Sequence, residues 1–490
     1  MNYRSIANIL GWIIGIEGAI MVLPLLCALV YREGWAGLGF VASIALCALV
    51  WFLLTRIKKK NDRFYAREGY VTVALAWIVM SLIGALPFVI CGEIPSYLDA
   101  VFEIVSGFTT TGASILSDVE GLSRCMLFWR SFSHWFGGMG VLVFVLAILP
   151  LAGGGSSFAL MQAESPGPSV SKLVPHLKAT ARHLYGIYAG LTLTEFILLC
   201  LGRMPIFDAL CLSFGTAGTG GFGVLNDSCG SYSTYLQVVL TVFMVLFGIN
   251  FEFFFLCVVR RFKDAVRMEE VRWYLTLYGG ASVIIAVELA LRQGWNFFHS
   301  LQQAAFQVAS VMTTTGFSTC DFDLWPQFSK TILLVWMFIG ACAGSTGGGI
   351  KVSRILIYVK AGIREARTLI RPRKISTVRL DGVSLDATVL RGAMMFLACY
   401  VGIYAASLLV VSLDCQDFET CFTAVAATFN NIGPGLGAVG PTCNFGGLTV
   451  FSKWVLSFAM LAGRLEIFPM LMIFHPTLWK DGFFSRKKES

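Results

Sequence analysis

The chain has 490 residues, 56% of them hydrophobic and only 13% charged, with a formal net charge of +8. Soluble domains carry about 25% charged residues, so this composition excludes a soluble globular protein and indicates an integral membrane protein in the lipid bilayer. The basic residues gather in short runs at the ends of apolar segments, which argues against a nucleic-acid partner.

A spanning helix needs roughly 20 apolar residues. Ile6 to Val30 and Leu38 to Leu54 are the first two predicted spans. The N-terminal stretch has no small-residue cleavage site and is long enough to cross, so it reads as a span and not as a signal peptide. Four units of helix, half-helix, turn and helix follow. The first runs from Val71 to Cys91, through a turn ending at Gly112, then from Phe128 to Leu149. The second runs from Tyr185 to Leu201, through Gly220, then from Tyr235 to Val259. The third runs from Tyr274 to Leu291, through Gly316, then from Ile332 onward. The fourth runs from Val389 to Val411, through Gly433, then from Val450 to Phe474. The expected total is ten full spans and four half-helices. The expected divisions are 1–68 (two-helix extension), 69–160 (first repeat), 161–262 (linker and second repeat), 263–375 (third repeat) and 376–490 (fourth repeat and tail).

The four turns organise everything else. Thr109-Thr110-Thr111-Gly112 and Thr313-Thr314-Thr315-Gly316 are identical. Ala217-Gly218-Thr219-Gly220 and Asn430-Asn431-Ile432-Gly433 are degenerate copies, and the four glycines fall 108, 96 and 117 positions apart. A mostly apolar run precedes each. Glycine accepts backbone angles that other residues resist, so successive carbonyls can point the same way. Four such strands around one axis make rings of oxygens that can replace the water around a monovalent cation. Bare backbone at membrane depth is tolerated only where it lines a cavity or is buried in protein. The half-helix before each turn aims its partly negative C-terminal end at the ion. Thr/Gly turns are also ordinary in surface loops, but four copies between long apolar runs favour a pore.

Positive residues gather on the cytoplasmic side of membrane proteins. With both termini inside, the inner segments are the N-terminus, 55–70, 151–184, 260–273, 351–391 and the C-terminus, and they hold 29 of the 37 Lys and Arg. All four turns then face outward, and the repeats are parallel copies. The 14 Cys are scattered, mostly inside apolar runs where Cys is a small buried hydrophobe; Cys415 and Cys421 are close enough in sequence to pair on the outer side, but free thiols are the favoured reading. The five His are dispersed, with no Ser/His/Asp or metal-ligand spacing, so an enzyme is not expected.

Two elements inside the predicted spans call for explanation. The second helix of the third repeat contains Gly340, Gly344, Ser345, Thr346, Gly347, Gly348 and Gly349, followed by Lys351. Each interior Gly costs about 1 kcal/mol relative to Ala. Close packing of small residues is one reading; the Gly-Gly-Gly run favours a helix broken near mid-membrane. Arg464 is a charge within a span, which faces a bundle interior or water. It either pairs with a carboxylate such as Glu466 or Glu252, or stands beside the pore and repels cations. Glu17, Glu195 and Glu288 are also intramembrane, and structural hydrogen bonding is favoured for them over coupling-ion sites.

The chain resembles the Trk/Ktr/HKT superfamily of potassium transporters, closest to the TrkH type, over essentially its whole length. The resemblance rests on the four turns; Trp129-Arg130-Ser131 leading to Gly137-Gly138-Met139-Gly140; Glu164-Ser165-Pro166-Gly167-Pro168; Gly344 through Lys351; Arg371-Pro372-Arg373; and Gly463-Arg464-Leu465-Glu466. The two extra N-terminal spans match TrkH and not the shorter Ktr form. The resemblance implies a potassium selectivity filter at Thr110, Thr111, Gly112, Gly218, Thr219, Gly220, Thr314, Thr315, Gly316, Asn431, Ile432 and Gly433. It implies a gating loop over Gly344–Gly349, with Lys351 and Arg464 beside it. Filter glycines in all four repeats go with potassium in the family; a Ser in the first repeat goes with sodium permeation. A homodimer in the cell (plasma or inner) membrane, seated on a cytoplasmic ring of nucleotide-binding TrkA-type subunits, is also implied. The transported ion is then K⁺, with no organic cofactor on this chain. The expected function is potassium uptake, with cation-coupled (H⁺ or Na⁺) potassium symport as the alternative.

Overall fold

The computed structural model describes residues 1–57, 66–148, 177–373, 377–414 and 417–476. The Glu164–Pro168 motif, Cys415 with its pairing to Cys421, and the basic C-terminal tail lie outside these residues.

The N-terminal extension comprises α1 (Tyr3–Ile20), α2 (Val22–Tyr31) and α3 (Gly34–Thr55). Glycines 11, 15 and 18 let α1 approach α3 at small-residue distance: a Cβ on Gly11 would lie 2.7 Å from Leu54 Cβ, and one on Gly18 2.7 Å from Cys47 Cβ. The first repeat holds α4 (Ala66–Gly84), α5 (Leu86–Ile90), the half-helix α6 (Tyr97–Phe108) and α7 (Arg124–Ile148). The second holds α8 (Leu177–Leu201), the half-helix α9 (Ile206–Gly218), α10 (Thr234–Phe247) and α11 (Phe251–Val258). A short α12 (Phe262–Arg267) leads to the third repeat: α13 (Glu269–Gln293), the half-helix α14 (Phe297–Met312), α15 (Gln327–Phe338) and α16 (Val352–Ile370). The fourth holds α17 (Ala387–Val411), the half-helix α18 (Phe418–Phe429), α19 (Val450–Arg464) and α20 (Phe468–Ile473). The fold is an all-α membrane architecture of four parallel repeats. One small departure is an antiparallel hairpin, β1 (Arg379–Leu380) with β2 (Val383–Ser384), between α16 and α17.

Three of the four half-helices start at side-chain caps, and α9 follows Pro205 instead. Ser96, Asn296 and Asp417 side chains accept from the backbone N–H groups of Asp99, Phe298 and Thr420, satisfying donors that a helix leaves open. They are deeply enclosed: residues 100–108 of α6 are all buried, as are residues 420–429 of α18 except the half-buried Phe422.

Among the described residues six helices are long and apolar enough to cross a membrane, or seven with one bent pair. Of the four expected spans outside that count, three are second helices broken in the second, third and fourth repeats, where a break was expected only in the third. In the second repeat α10 and α11 meet at 92°. Gly248 there turns its carbonyl to the Cys342 N–H at 3.0 Å, and Asn250 caps α11 through Glu252 N at 2.9 Å. In the third, residues 339–351 leave the helix, their ends tied by a parallel bridge between Ile339 and Ile350. In the fourth, Glu466 and Ile467 take positive φ values of 51° and 72°, and Pro469 opens α20, where proline suits a helix start but not an interior.

Candidate functional site

The four half-helices end alike. The N–H groups of Thr111, Gly220, Thr315 and Ile432 each bond a carbonyl five residues back at 2.8 Å. The preceding residues, Thr110, Thr219, Thr314 and Asn431, are all left-handed, with φ of 54°, 56°, 60° and 57°. Such angles cost an ordinary L-residue about 1–2 kcal/mol, so four such residues at equivalent places form a built feature. The glycines at positive φ that follow are Gly112, Gly221, Gly316 and Gly433.

This corrects the register of the second turn. Gly221, not Gly220, is the counterpart of Gly112, and Gly220 corresponds to Thr111, Thr315 and Ile432. The sequence Gly218-Thr219-Gly220-Gly221 offers three glycines, and only the left-handed Thr219 selects among them. Gly220 is small for another reason: a Cβ there would collide with the His134 ring.

The glycines close a ring. A Cβ on Gly112 would collide with the carbonyl oxygen of Gly220, one on Gly221 with that of Thr315, and one on Gly316 with that of Ile432. On Gly433 it would lie 2.8 Å from the Thr111 oxygen. Each repeat thus abuts the next, and the fourth returns to the first. Asn431 stitches the last junction, its Nδ2 donating to Thr111 Oγ1 at 2.9 Å and to Met460 O at 3.0 Å. In the two Thr-Thr-Thr-Gly turns, the Thr109–Thr111 and Thr313–Thr315 hydroxyls bond at 2.7 Å. A vestibule on one side of the ring is lined by all four glycines, with Phe222 and Pro434. A closed set of bare backbone oxygens can replace part of a cation's hydration shell.

The loop of the third repeat lies at the other end of the turns. Gly348 N–H donates to Thr314 Oγ1 at 2.6 Å, and a Cβ on Gly347 would lie 2.9 Å from Thr313 O. Gly344 and Gly349 take φ of 70° and 66°. The loop is fastened all round. Lys351 Nζ folds back onto the carbonyls of Gly347 and Gly348. The Arg464 guanidinium donates to Thr346 O at 2.8 Å and to Gly137 O at 2.7 Å, joining the loop to α7. Gly344 O accepts from Phe251 N at 3.0 Å, and Ser345 Oγ turns back to Cys342 O at 2.6 Å. One Glu270 oxygen takes the N–H groups of Ala343 at 2.6 Å and Ser353 at 3.0 Å, on either side of the loop.

The family model of TrkH, a cation transport protein, matches residues 37–486. The chain belongs to the TrkH family. The Trk system potassium uptake protein TrkH of Salmonella typhimurium is 37% identical over 98% of this chain and 100% of its own length. The protein of that name from Vibrio parahaemolyticus is likewise 37% identical, over the same shares. The crystal structure of the potassium transporter TrkH from Vibrio parahaemolyticus aligns with a TM-score of 0.87 at 34% identity, covering 98% of this chain and 100% of that one.

Around the ring of this TrkH-family chain, other charges find places that the sequence does not reveal. Glu103 of α6 is fully buried against Arg130 of α7, with Arg130 Nη2 2.7 Å from its carboxylate. Glu466, one partner considered for Arg464, is bound by Arg354. Glu288 accepts from Ser329 and pairs with Arg292 at 3.3 Å. Glu17 and Glu195 differ: both are buried, Glu17 meets no hydrogen-bond donor among the described residues, and Glu195 stands beside the Thr216 hydroxyl. The expected structural hydrogen bonding is found for Glu288 and, among the described residues, is not found for Glu17. Gly221, Glu103 and Glu270 were missed as site residues. A Glu in the middle of a half-helix and an Arg in an apolar span were available signals for the buried ion pair.

Proposed function

We propose that the chain takes up potassium across the cell membrane, with the four turns as the selectivity filter and the Gly344–Gly349 loop as the gate. The observation that carries this is the closed ring of left-handed turns with a glycine loop bonded against one end. The relatives named potassium uptake proteins support the choice of ion. Thr110, Thr111 and Gly112, with Gly218–Gly221, Thr314–Gly316 and Asn431–Gly433, would supply the ion's ligands. Lys351 and Arg464 would add positive charge beneath the filter, opposing cation passage while the loop is in place. The basic-residue distribution supports outward-facing turns and cytoplasmic termini.

A second reading, proton-coupled symport, draws on the buried carboxylates of Glu17 and Glu195, Glu17 without a donor among the described residues, because intramembrane carboxylates serve as proton relays. Liposomes containing this chain alone separate the two. Under the channel reading the reversal potential follows the potassium gradient and ignores an imposed pH gradient. A shift with the pH gradient would replace that reading by symport, and no potassium-dependent flux under either gradient would sink both.

The regulatory partner belongs to the same proposal: a homodimer on a cytoplasmic nucleotide-binding ring. Helix α16 ends in a basic stretch with Arg364, Arg367 and Arg371, and its Leu369 and Ile370 are exposed. Reversing all three Arg to Glu is expected to weaken ring association by at least about tenfold, since exposed pairs contribute up to about 1 kcal/mol each. Unaltered pull-down of the ring by a properly folded triple variant places the docking surface elsewhere.

A further inference from the structure

Each filter strand needs a side chain behind it, and the repeats meet that need unequally. The position nine residues before the turn glycine is Glu103 in the first repeat, Leu212 in the second, Gln307 in the third and Ala424 in the fourth. Glu103 reaches the strand beyond its own turn: Oε2 accepts from Ile115 N at 3.0 Å, and Ser114 Oγ donates to Oε1 at 3.0 Å. Gln307 does the neutral equivalent, donating to Thr319 Oγ1 at 3.2 Å; Thr319 and Ile115 both stand three residues past their glycine. In the fourth repeat Thr423 Oγ1 accepts from Leu436 N at 2.9 Å, again three past the glycine. Leu212 offers no polar atom.

The second strand is held instead from α7 of the first repeat. His134 donates from Nδ1 to Gly107 O at 2.8 Å and accepts the Phe222 N–H on Nε2 at 3.3 Å. The Arg130 guanidinium lies 4.1 Å from the Phe222 ring centroid. Arg130 is also the partner of Glu103, with Nε 2.8 Å from Oε1. One buried ion pair therefore touches the strands just past Gly112 and just past Gly221.

We propose that Glu103 and Arg130 are positioning residues that set the spacing of two adjacent quadrants of the filter, and through it the discrimination of potassium from sodium. The pair is buried, so neither charge is screened by water, and removing one partner leaves the other uncompensated. The proposal rests on the filter reading. Its distinctive consequence is asymmetry: disturbing this one pair alters two quadrants, whereas disturbing Gln307 alters one.

The test is the potassium-to-sodium permeability ratio in liposomes, read beside the thermal unfolding midpoint. Glu103→Gln/Arg130→Gln removes both charges together and avoids a lone buried ion. It is expected to lower the ratio by about tenfold, the scale of one lost charged hydrogen bond. Gln307→Leu is expected to lower it less. Phe222→Leu keeps the ion pair and removes the ring that Arg130 and His134 both face; it is expected to shift the ratio in the same direction, and it stands in if the double variant does not accumulate. A wild-type ratio in the folded double variant, or in Phe222→Leu where that stands in, overturns the proposal. A double-variant effect equalled or exceeded by Gln307→Leu overturns it too. Gly112→Ser separates the two levels: if it also leaves the ratio unchanged, the filter reading has failed, and if it alone lowers the ratio, only this proposal has.

Discussion

Gly112→Ser is expected to lower the potassium-to-sodium permeability ratio by at least about tenfold while the chain still folds. Gly112 sits at φ 80°, where an L-residue is strained. Its new Cβ would also collide with the Gly220 carbonyl oxygen of the neighbouring repeat. The strand cannot simply retreat, because Ser114 and Ile115 behind it are bonded to Glu103. Strain and collision therefore fall on the ring of oxygens itself. Selectivity is a difference between two dehydration costs, and every 1.4 kcal/mol of that difference is tenfold. A small misplacement is enough. Ratios of permeability from reversal potentials in mixed potassium and sodium check it, and an unchanged ratio in a folded Gly112→Ser protein removes these turns as the filter.

Deletion of Gly344 to Gly349 is expected to raise basal potassium flux by about tenfold or more and to reduce its dependence on the proposed regulatory ring. The loop is held against the ring by discrete bonds: Gly348 to Thr314, Thr346 to Arg464, and Lys351 back onto Gly347 and Gly348. A typical hydrogen bond contributes about 0.5–1.5 kcal/mol net, and one to a charged group about 1.5–3 kcal/mol. A handful of these places the closed arrangement only a few kcal/mol below an open one, a gap that a partner's movement can cross. Such a deletion could also disturb folding, so dimer formation and unfolding are measured alongside flux. Glu270→Gln is the milder companion. It keeps the shape but removes the charge that holds Ala343 and Ser353, and it is expected to raise basal flux in the same direction by a smaller factor. A well-folded deletion variant with wild-type, ring-dependent flux moves the gate elsewhere, with Arg464 and its bond to Gly137 the next place to look.

The linear order of residues determined the class of fold, because the bilayer makes local composition decisive. A helix that crosses must be apolar along its length, and this pattern marks Tyr3–Tyr31, Gly34–Thr55 and Ala387–Val411 without reference to anything distant. The repeats were legible for a related reason: a turn of bare backbone between apolar runs must spell itself in Thr and Gly, and it does so twice in identical letters. The glycine run of the third repeat likewise announced a broken helix, since three successive glycines forfeit about 3 kcal/mol of helix propensity.

What remained was decided between segments far apart in the chain. The break at Gly248–Asn250 depends on a carbonyl bonded to Cys342, almost a hundred residues away, so no local propensity reports it. The register of the second turn depends on which residue is left-handed, and the neighbouring glycines give no preference until Thr219 is packed against the ring. The partners of buried charges follow the same rule. Glu103 with Arg130, Arg354 with Glu466, and Glu270 with both sides of the loop are pairings between helices. A charge within an apolar run announces that it must find a partner, because leaving it unpaired costs several kcal/mol; which partner it finds is set only when the helices come together.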